Sequence, residues 1–374
     1  MLKYTDPGTQ YCHDVLSGKI LACKKIKQAC QRHLTDLKRI GNSDFPYYYD
    51  QDIAHGIVNF VRIIPDVSTH RLIEPQPFQC FILDMLYAWR KNNGGKRFRR
   101  ALISMARTNG KTQLDSWLML YDFYFGVPKW NRTLCCAANS NDQADKLLKY
   151  VKSTISALEN LADDKSNKLH SIYQQFRANK KQTGNEDGVE RLWNKVRWNK
   201  YSVEIQRIAP GVNNIDSNHY TLAVVDEGHQ LKDDTFVSKI SSGQVSLAEA
   251  LLIESSTAGL DPKVPLHQEY ELMTDILNGK RHNDRQFIAI FEQDNQGEIA
   301  NPETWEKSNP LLCYKPFRAT RLDGLIAERD DKILKGEKSD FLVKNMNLWQ
   351  NAKINGYINT VSYTHLRAHE TLRH

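Results

Sequence analysis

Long apolar runs are missing from this chain. No window approaches the ~18 consecutive apolar residues that a bilayer-crossing helix needs. The opening segment, MLKYTDPGTQYCHDVL, has no basic stretch followed by an apolar run, so no secretory signal is read there. Cysteine is scarce and odd in number. The seven, at 12, 23, 30, 80, 135, 136 and 313, form no CxxC pair. That argues against a disulfide framework and a zinc cluster, and for a reducing, cytosolic setting. Neither sign of charge dominates: 51 basic against 44 acidic residues leave a formal charge of +7. Such an excess suits a nucleic-acid partner without specifying one. With 40% hydrophobic and 25% charged residues, wholesale disorder, collagen and coiled coil are excluded. At ~100–200 residues per domain, 374 residues allow two or three domains, or one large one with additions.

What is present falls into stretches of different texture. Residues 1–70 read as a mostly helical arm. Apolar positions recur at three and four between lysines from Ile20 to Cys30, and a second amphipathic stretch runs from Asp52 to Ile64. No chemistry is visible in this arm, and it reads as a packed appendage. From 71 to about 300, short β-rich runs alternate with helix-length segments. The runs are Ala101 to Met105, Arg132 to Ala137, Tyr220 to Val225 and Ala250 to Ser255. This alternation predicts an α/β domain with a largely parallel sheet, covered by helices on both faces. A polar insertion rich in Lys and Asn fills 163–200, and three helix-like pieces around Asn309-Pro310 in 301–356 read as a linker or small subdomain.

The strongest local signal is Met105-Ala106-Arg107-Thr108-Asn109-Gly110-Lys111-Thr112, between an apolar strand and a helix. A phosphate loop belongs at that place. Backbone N–H groups at a helix N-terminus hold phosphate oxygens, and Gly110 lets the backbone come close. Lys111 would reach the β- and γ-phosphates, and the Thr112 hydroxyl would ligate Mg²⁺. The usual first glycine is Met105 here, and the bland alternative is a helix start with an exposed lysine. A second signal is Leu222-Ala223-Val224-Val225-Asp226-Glu227, a buried strand ending in two carboxylates. In a phosphate-loop ATPase such an Asp binds Mg²⁺ through water and the next Glu polarises the attacking water. Alone, the pair could be a solvated turn. With the lysine loop it favours hydrolysis over mere nucleotide binding.

Weaker features accompany these two. Ser255-Ser256-Thr257-Ala258-Gly259 closes another apolar strand, where small hydroxyl residues face the ligand crevice of an open α/β sheet and could sense the γ-phosphate. Arg107, inside the loop, can stabilise charge on a transferred phosphoryl group, or can be an exposed arginine with no role. Gln79, at the entry to the helix-like Cys80 to Trp89, can read an adenine edge or simply cap the helix, and on sequence alone the cap is preferred. Two basic clusters are candidates for DNA-backbone contact or for solvated faces. One holds Arg90, Lys91, Lys96, Arg97, Arg99 and Arg100. The other holds Lys180, Lys181, Arg191, Lys195, Arg197 and Lys200 around Trp193 and Trp198.

Taken together, these segments resemble the ATPase part of the tailed-bacteriophage terminase large subunit family, over roughly 10–358. The likeness begins with Ser17-Gly18-Lys19-Ile20 and Phe78-Gln79. Its loop, Ala106 to Thr112, is similar to that family's deviant phosphate loop, which also lacks the first glycine and carries Arg at this place. Ala137 to Ala144, Val225-Asp226-Glu227-Gly228-His229, Ser256-Thr257-Ala258-Gly259, Asn309-Pro310 and Asn347-Leu348-Trp349 resemble its later landmarks. The resemblance implies ATP and Mg²⁺ as ligands, held by Asn109, Gly110, Lys111, Thr112 and Gln79, with Thr112 and Asp226 on the metal. It implies Glu227 as the base that activates water, Arg107 as a cis arginine finger, and Ser256, Thr257 and Gly259 as coupling residues. It further implies double-stranded DNA, a portal protein and a small terminase subunit as partners, a homo-oligomeric ring on the prohead, no membrane, and the cytoplasm of an infected bacterium as the place of action.

One departure from the family stands out. Its members usually continue into a ribonuclease-H-like nuclease domain of well over 100 residues, whereas 18 residues follow Gly356 here. Nuclease activity is not expected of these 374 residues. The tail 359–374 reads as non-native or disordered. Within it, His365 and His369 form an i, i+4 pair with no third metal ligand in place. Two other readings stay open: a helicase-like nucleic-acid-dependent ATPase, and an inactive truncated module that acts only in assembly.

Overall fold

A computed structural model of the chain describes residues 4–176, 188–211, 215 and 218–351. The tail, with His365 and His369, lies outside the described residues, as do Lys180 and Lys181.

The arm forms α1 (Pro7–Leu16), α2 (Lys24–Arg39) and α3 (Gln51–Arg62). Asp6 caps α1 by accepting from the Thr9 N–H at 2.8 Å, and Asp50 caps α3. Between α2 and α3 lies a short strand, β1 (Tyr47–Tyr49), which pairs antiparallel with β2 (Trp89–Lys91) at the end of α4 (Pro77–Ala88). The arm is more deeply integrated than an appendage. Tyr11, Ile26, Phe45 and Ile57 share one continuous core with Phe81, Trp89, Ile103 and Trp117.

The α/β part follows the expected alternation. Its elements are β3 (Arg100–Ser104), α5 (Lys111–Phe125), β4 (Arg132–Ala138), α6 (Asn141–Asp163), α7 (His170–Tyr173), β5 (Val189–Arg191), β6 (Lys195–Trp198), β7 (Val203–Ile208), β8 (Tyr220–Asp226), α8 (Thr235–Gly243), β9 (Leu251–Ser256), α9 (Pro265–Leu277) and β10 (Gln286–Ile290). The sheet order is β10-β3-β9-β8-β4-β7-β6-β5. From β10 to β7 every pairing is parallel, and β6 and β5 extend the sheet antiparallel. Every residue of β8 and β9 is buried, as a doubly covered parallel sheet requires. Alternation along each strand sorts the two faces. Ile103, Leu134, Val224 and Ile253 join the large core under the arm, α5 and α6. Cys135, Val225 and Leu252 pack under α8, while Leu102 and Ile288 pack under α9.

Residues after β10 make a small subdomain. Short 3₁₀ turns lead into α10 (Lys315–Leu334) and α11 (Lys338–Lys344), around a separate apolar cluster of Ile299, Trp305, Leu312, Leu325, Phe341 and Met346.

Most cations of the densest basic run are engaged by partners within the protein. Lys96 is buried and pairs with Asp122 at 2.6 Å, and Arg132 joins the same carboxylate at 2.8 Å. Arg97, wholly buried, reaches Asp36 at 2.5 Å and Asp284 at 3.4 Å. Arg90 pairs with Glu249, and Arg100 with Glu254 at 2.9 Å. Arg99 donates to the carbonyls of Leu247 and Gln244. These cations tie the strand edge to α2, α5 and the loop before β9.

Candidate nucleotide site

Strand register aligns the site. Ser104 at the end of β3 is level with Ser256 on β9, and Ser255 is level with Asp226 at the end of β8. The lysine loop therefore leaves the sheet one strand away from the acidic pair, with the small hydroxyl residues between them. Past Ser104 the chain turns through 105–110 into α5. Gly110 takes φ +77°, the left-handed region that glycine enters at little cost. Thr108 takes φ +61° and Glu227 φ +53°, where a side chain is strained. Strained non-glycine backbone of this kind clusters at functional sites.

Lys111 is buried, and its ammonium donates to the Met105 carbonyl at 3.0 Å and the Ala106 carbonyl at 3.3 Å. Burial lowers its pKa from the ordinary value, while Glu227, Asp226 and Asp115 push it back. For Asp226, burial and then the Glu227 charge raise the carboxyl to about 6. The lysine and both acids thus lie within reach of one another's fields. Arg107 is exposed, yet its charge is felt at Lys111 and at His229. Thr112 follows Lys111 and is half-buried.

Glu227 Oε2 lies 3.2 Å from His229 Nδ1, and the same nitrogen lies 3.0 Å from Ser256 Oγ. Ser256 accepts from the His229 N–H and donates to the Thr257 carbonyl. Burial holds the His229 imidazole below its ordinary pKa. The Thr257 hydroxyl is buried and makes no hydrogen bond. Gly259 faces Trp349 so closely that a Cβ there would sit 2.8 Å from the indole.

Asn109 and Gln79 carry holding contacts. The Asn109 amide donates to the carbonyls of Ala106 and Arg107 and to Asn309 Oδ1, each at 3.1 Å, and its oxygen accepts from the Leu311 N–H. Gln79 completes a capping box by accepting from the Gln76 N–H at 2.8 Å. Its Nε2 faces Gly110, 3.6 Å from where a Cβ would stand.

Several residues of this neighbourhood escaped the sequence reading. Asp115 is fully buried next to Ser255, and burial followed by the Asp226 charge holds its carboxyl well above the ordinary value. An acid one helical turn after Lys111, amid apolar residues, was the signal that could have shown it. Asn347 had been noted only as a landmark. It is buried and donates to Phe291 O and Ser104 Oγ, while its oxygen accepts from the Ala258 N–H. The Ala106 N–H donates to Ser308 O and the Arg107 N–H to Lys344 O, so the small subdomain grips the lysine loop itself.

A lysine-bearing loop between strand and helix, one strand away from an acid-ended strand, defines a P-loop-type nucleotide-binding fold. The family model described as "Terminase large subunit, ATPase domain" matches residues 77–275, more than half of the chain, and the protein belongs to that family. A curated relative, "Protein YmfN" of Escherichia coli (strain K12), is 27% identical over 141 residues, which are 38% of this chain and 30% of that protein. Among solved structures, the large terminase of bacteriophage HK97 superposes with a TM-score of 0.60 at 20% identity, over 79% of this chain and 55% of that one. At such identity the superposition speaks for the fold. The chain spans under a third of the curated relative and about half of the HK97 protein. Among the described residues no helix is long and apolar enough to cross a membrane.

Proposed function

We propose that this chain hydrolyses ATP and that hydrolysis drives double-stranded DNA into a viral prohead. The observation that carries the reading is the convergence of Lys111, Asp226 and Glu227 at the aligned ends of β3, β9 and β8. In this reading, the N–H groups of 108–112 cradle the phosphates and Lys111 leaves its loop carbonyls for the β- and γ-oxygens. Glu227 takes the proton of the attacking water, with the His229 ring 3.2 Å from its carboxylate. Arg107 is free to swing onto the terminal phosphate as a cis arginine finger. Ser256, Thr257 and Gly259 feel the event directly, since they lie between the reacting groups and the small subdomain. Gln79 stands close enough to Gly110 to serve the nucleotide as well as its helix.

The oxygen donors fit Mg²⁺, which is hard and binds through few carboxylates plus phosphate oxygens. Asp226 and Asp115 are two buried carboxyls held above the ordinary range by burial and by neighbouring acid charge, and the nearby Lys111 offsets this only in part. Thr112 and Asp226 would hold the ion, which would neutralise phosphate charge there. We further read 71–300 as the ATPase unit and 301–358 as the linker. The partners are DNA, a portal protein and a small terminase subunit, in a ring of copies in the host cytoplasm.

The test is ATP binding and turnover by wild type, Lys111→Ala and Glu227→Gln. Wild type hydrolyses ATP, Lys111→Ala fails to bind it, and Glu227→Gln binds it but turns over at least ~10²-fold more slowly. Equal turnover by wild type and Glu227→Gln removes Glu227 as base. A wild type that does not bind ATP leaves only an assembly role.

A further inference from the structure

Most buried or half-buried arginines described here have a carboxylate. Arg97, Arg100 and Arg132 have theirs, and Arg318 on α10 pairs with Glu306 at 2.5 Å. Arg321, one turn further along α10, has none among the described residues. Its Nη1 donates to the Thr108 carbonyl at 2.6 Å and its Nη2 to Thr108 Oγ1 at 3.2 Å, while its Nε is buried without a partner. Burial lowers its pKa, and no neighbouring acid offsets that. An unpaired guanidinium is thus brought across 213 residues of sequence to the crest of the lysine loop. Thr108 is exposed, strained at φ +61°, and flanked by Arg107. A terminal phosphate held by this loop would therefore come within the neighbourhood of Arg321 at Thr108 as well as of Lys111, whose ammonium sits on the Met105 and Ala106 carbonyls of the same loop.

We propose that Arg321 is a second phosphate-contacting arginine of the nucleotide site, supplied by the small subdomain and exchanging its Thr108 contacts for the terminal phosphate. A planar guanidinium can donate to two oxygens of an anionic phosphate, and such charge-assisted bonds are roughly twice as strong as those to a neutral carbonyl. The small subdomain would then distinguish triphosphate from diphosphate through one side chain. This inference rests on the ATPase reading above.

The test compares dissociation constants of a fluorescent non-hydrolysable ATP analogue and of fluorescent ADP, with Mg²⁺, for wild type, Arg321→Ala and Arg321→Gln. Gln can still donate to the Thr108 carbonyl but carries no charge. Both variants should weaken triphosphate binding about tenfold or more, the scale of a lost hydrogen bond to a charged group, and change ADP binding under about twofold. If Arg321→Gln binds both nucleotides like wild type, Arg321 only latches Thr108 and the proposal is overturned. Equal losses for the two nucleotides overturn it as well. A wild type that binds neither sinks the ATPase reading and this inference with it, a result distinct from a wild type that binds both while the variants keep its preference. Should Arg321→Ala melt before assay, Arg321→Gln carries the decision.

Discussion

Replacing Asn347 by alanine should detach the small subdomain from the sheet. The Asn347 side chain is buried and makes four contacts. Nδ2 donates to Ser104 Oγ at 2.9 Å and to Phe291 O at 2.7 Å, and Oδ1 accepts from Ala258 N at 2.7 Å and Ser104 Oγ at 3.3 Å. Net hydrogen-bond contributions of about 0.5–1.5 kcal/mol each give roughly 2–6 kcal/mol for the group. Asn347 also takes φ +55°, which asparagine tolerates and alanine resists by about 1 kcal/mol. Asn347→Ala should therefore lose about 3–7 kcal/mol, and Asn347→Gly about 1 kcal/mol less, because glycine accepts the backbone but restores no contact. Urea unfolding followed by tryptophan fluorescence and far-UV circular dichroism measures both losses. Limited proteolysis should cut between 291 and 315 earlier in both variants. An alanine variant within 1 kcal/mol of wild type would refute the reasoning, as would alanine and glycine variants of equal stability.

Two further outcomes follow from buried charge. Asp122→Asn leaves Lys96 and Arg132 buried without their carboxylate and should cost about 3–5 kcal/mol by chemical denaturation. Lys96→Met should cost less, because Asp122 keeps Arg132, and the reverse ranking would contradict the network. The second outcome concerns pH. The folded pKa of Asp226, about 6, exceeds its ordinary 3.8, so the folded protein binds the proton more tightly between those values. With Mg²⁺ and nucleotide removed by chelation and dialysis, wild-type stability should fall as pH rises from about 4 to about 6. Asp226→Asn should flatten that slope and at pH 7 be more stable by on the order of 1–3 kcal/mol. An Asn variant less stable than wild type at pH 7 would show that the carboxylate is not strained by its site.

The sheet was legible in the sequence because its strands are near-continuous apolar runs separated by helix-length segments. Lys111, Asp226 and Glu227 were legible because each follows such a strand. What stayed hidden was set by long-range pairing. The strand between the lysine loop and the acids is β9, and only tertiary register reveals that it brings Ser256 to His229. Arg321 reaches the loop at Thr108, and Asn347 reaches the end of β3 at Ser104, each from over 200 residues away, and no local pattern announces those contacts. The basic run at 90–100 misled because its carboxylate partners, Asp36, Asp122, Glu249 and Glu254, are scattered through the chain. The helical arm was visible, but its share in the central core was not, since amphipathic spacing does not say which surface a helix covers.

The buried run at 90–100 also changes where an approaching polyanion can be attracted. Lys96 and Arg97, buried against carboxylates, cast little field outward, whereas Lys91 and Arg99 are half-exposed beside Arg285 and keep their charge at the surface. A mutational map guided by lysine and arginine density alone would spend its first variants on cations that hold the fold together.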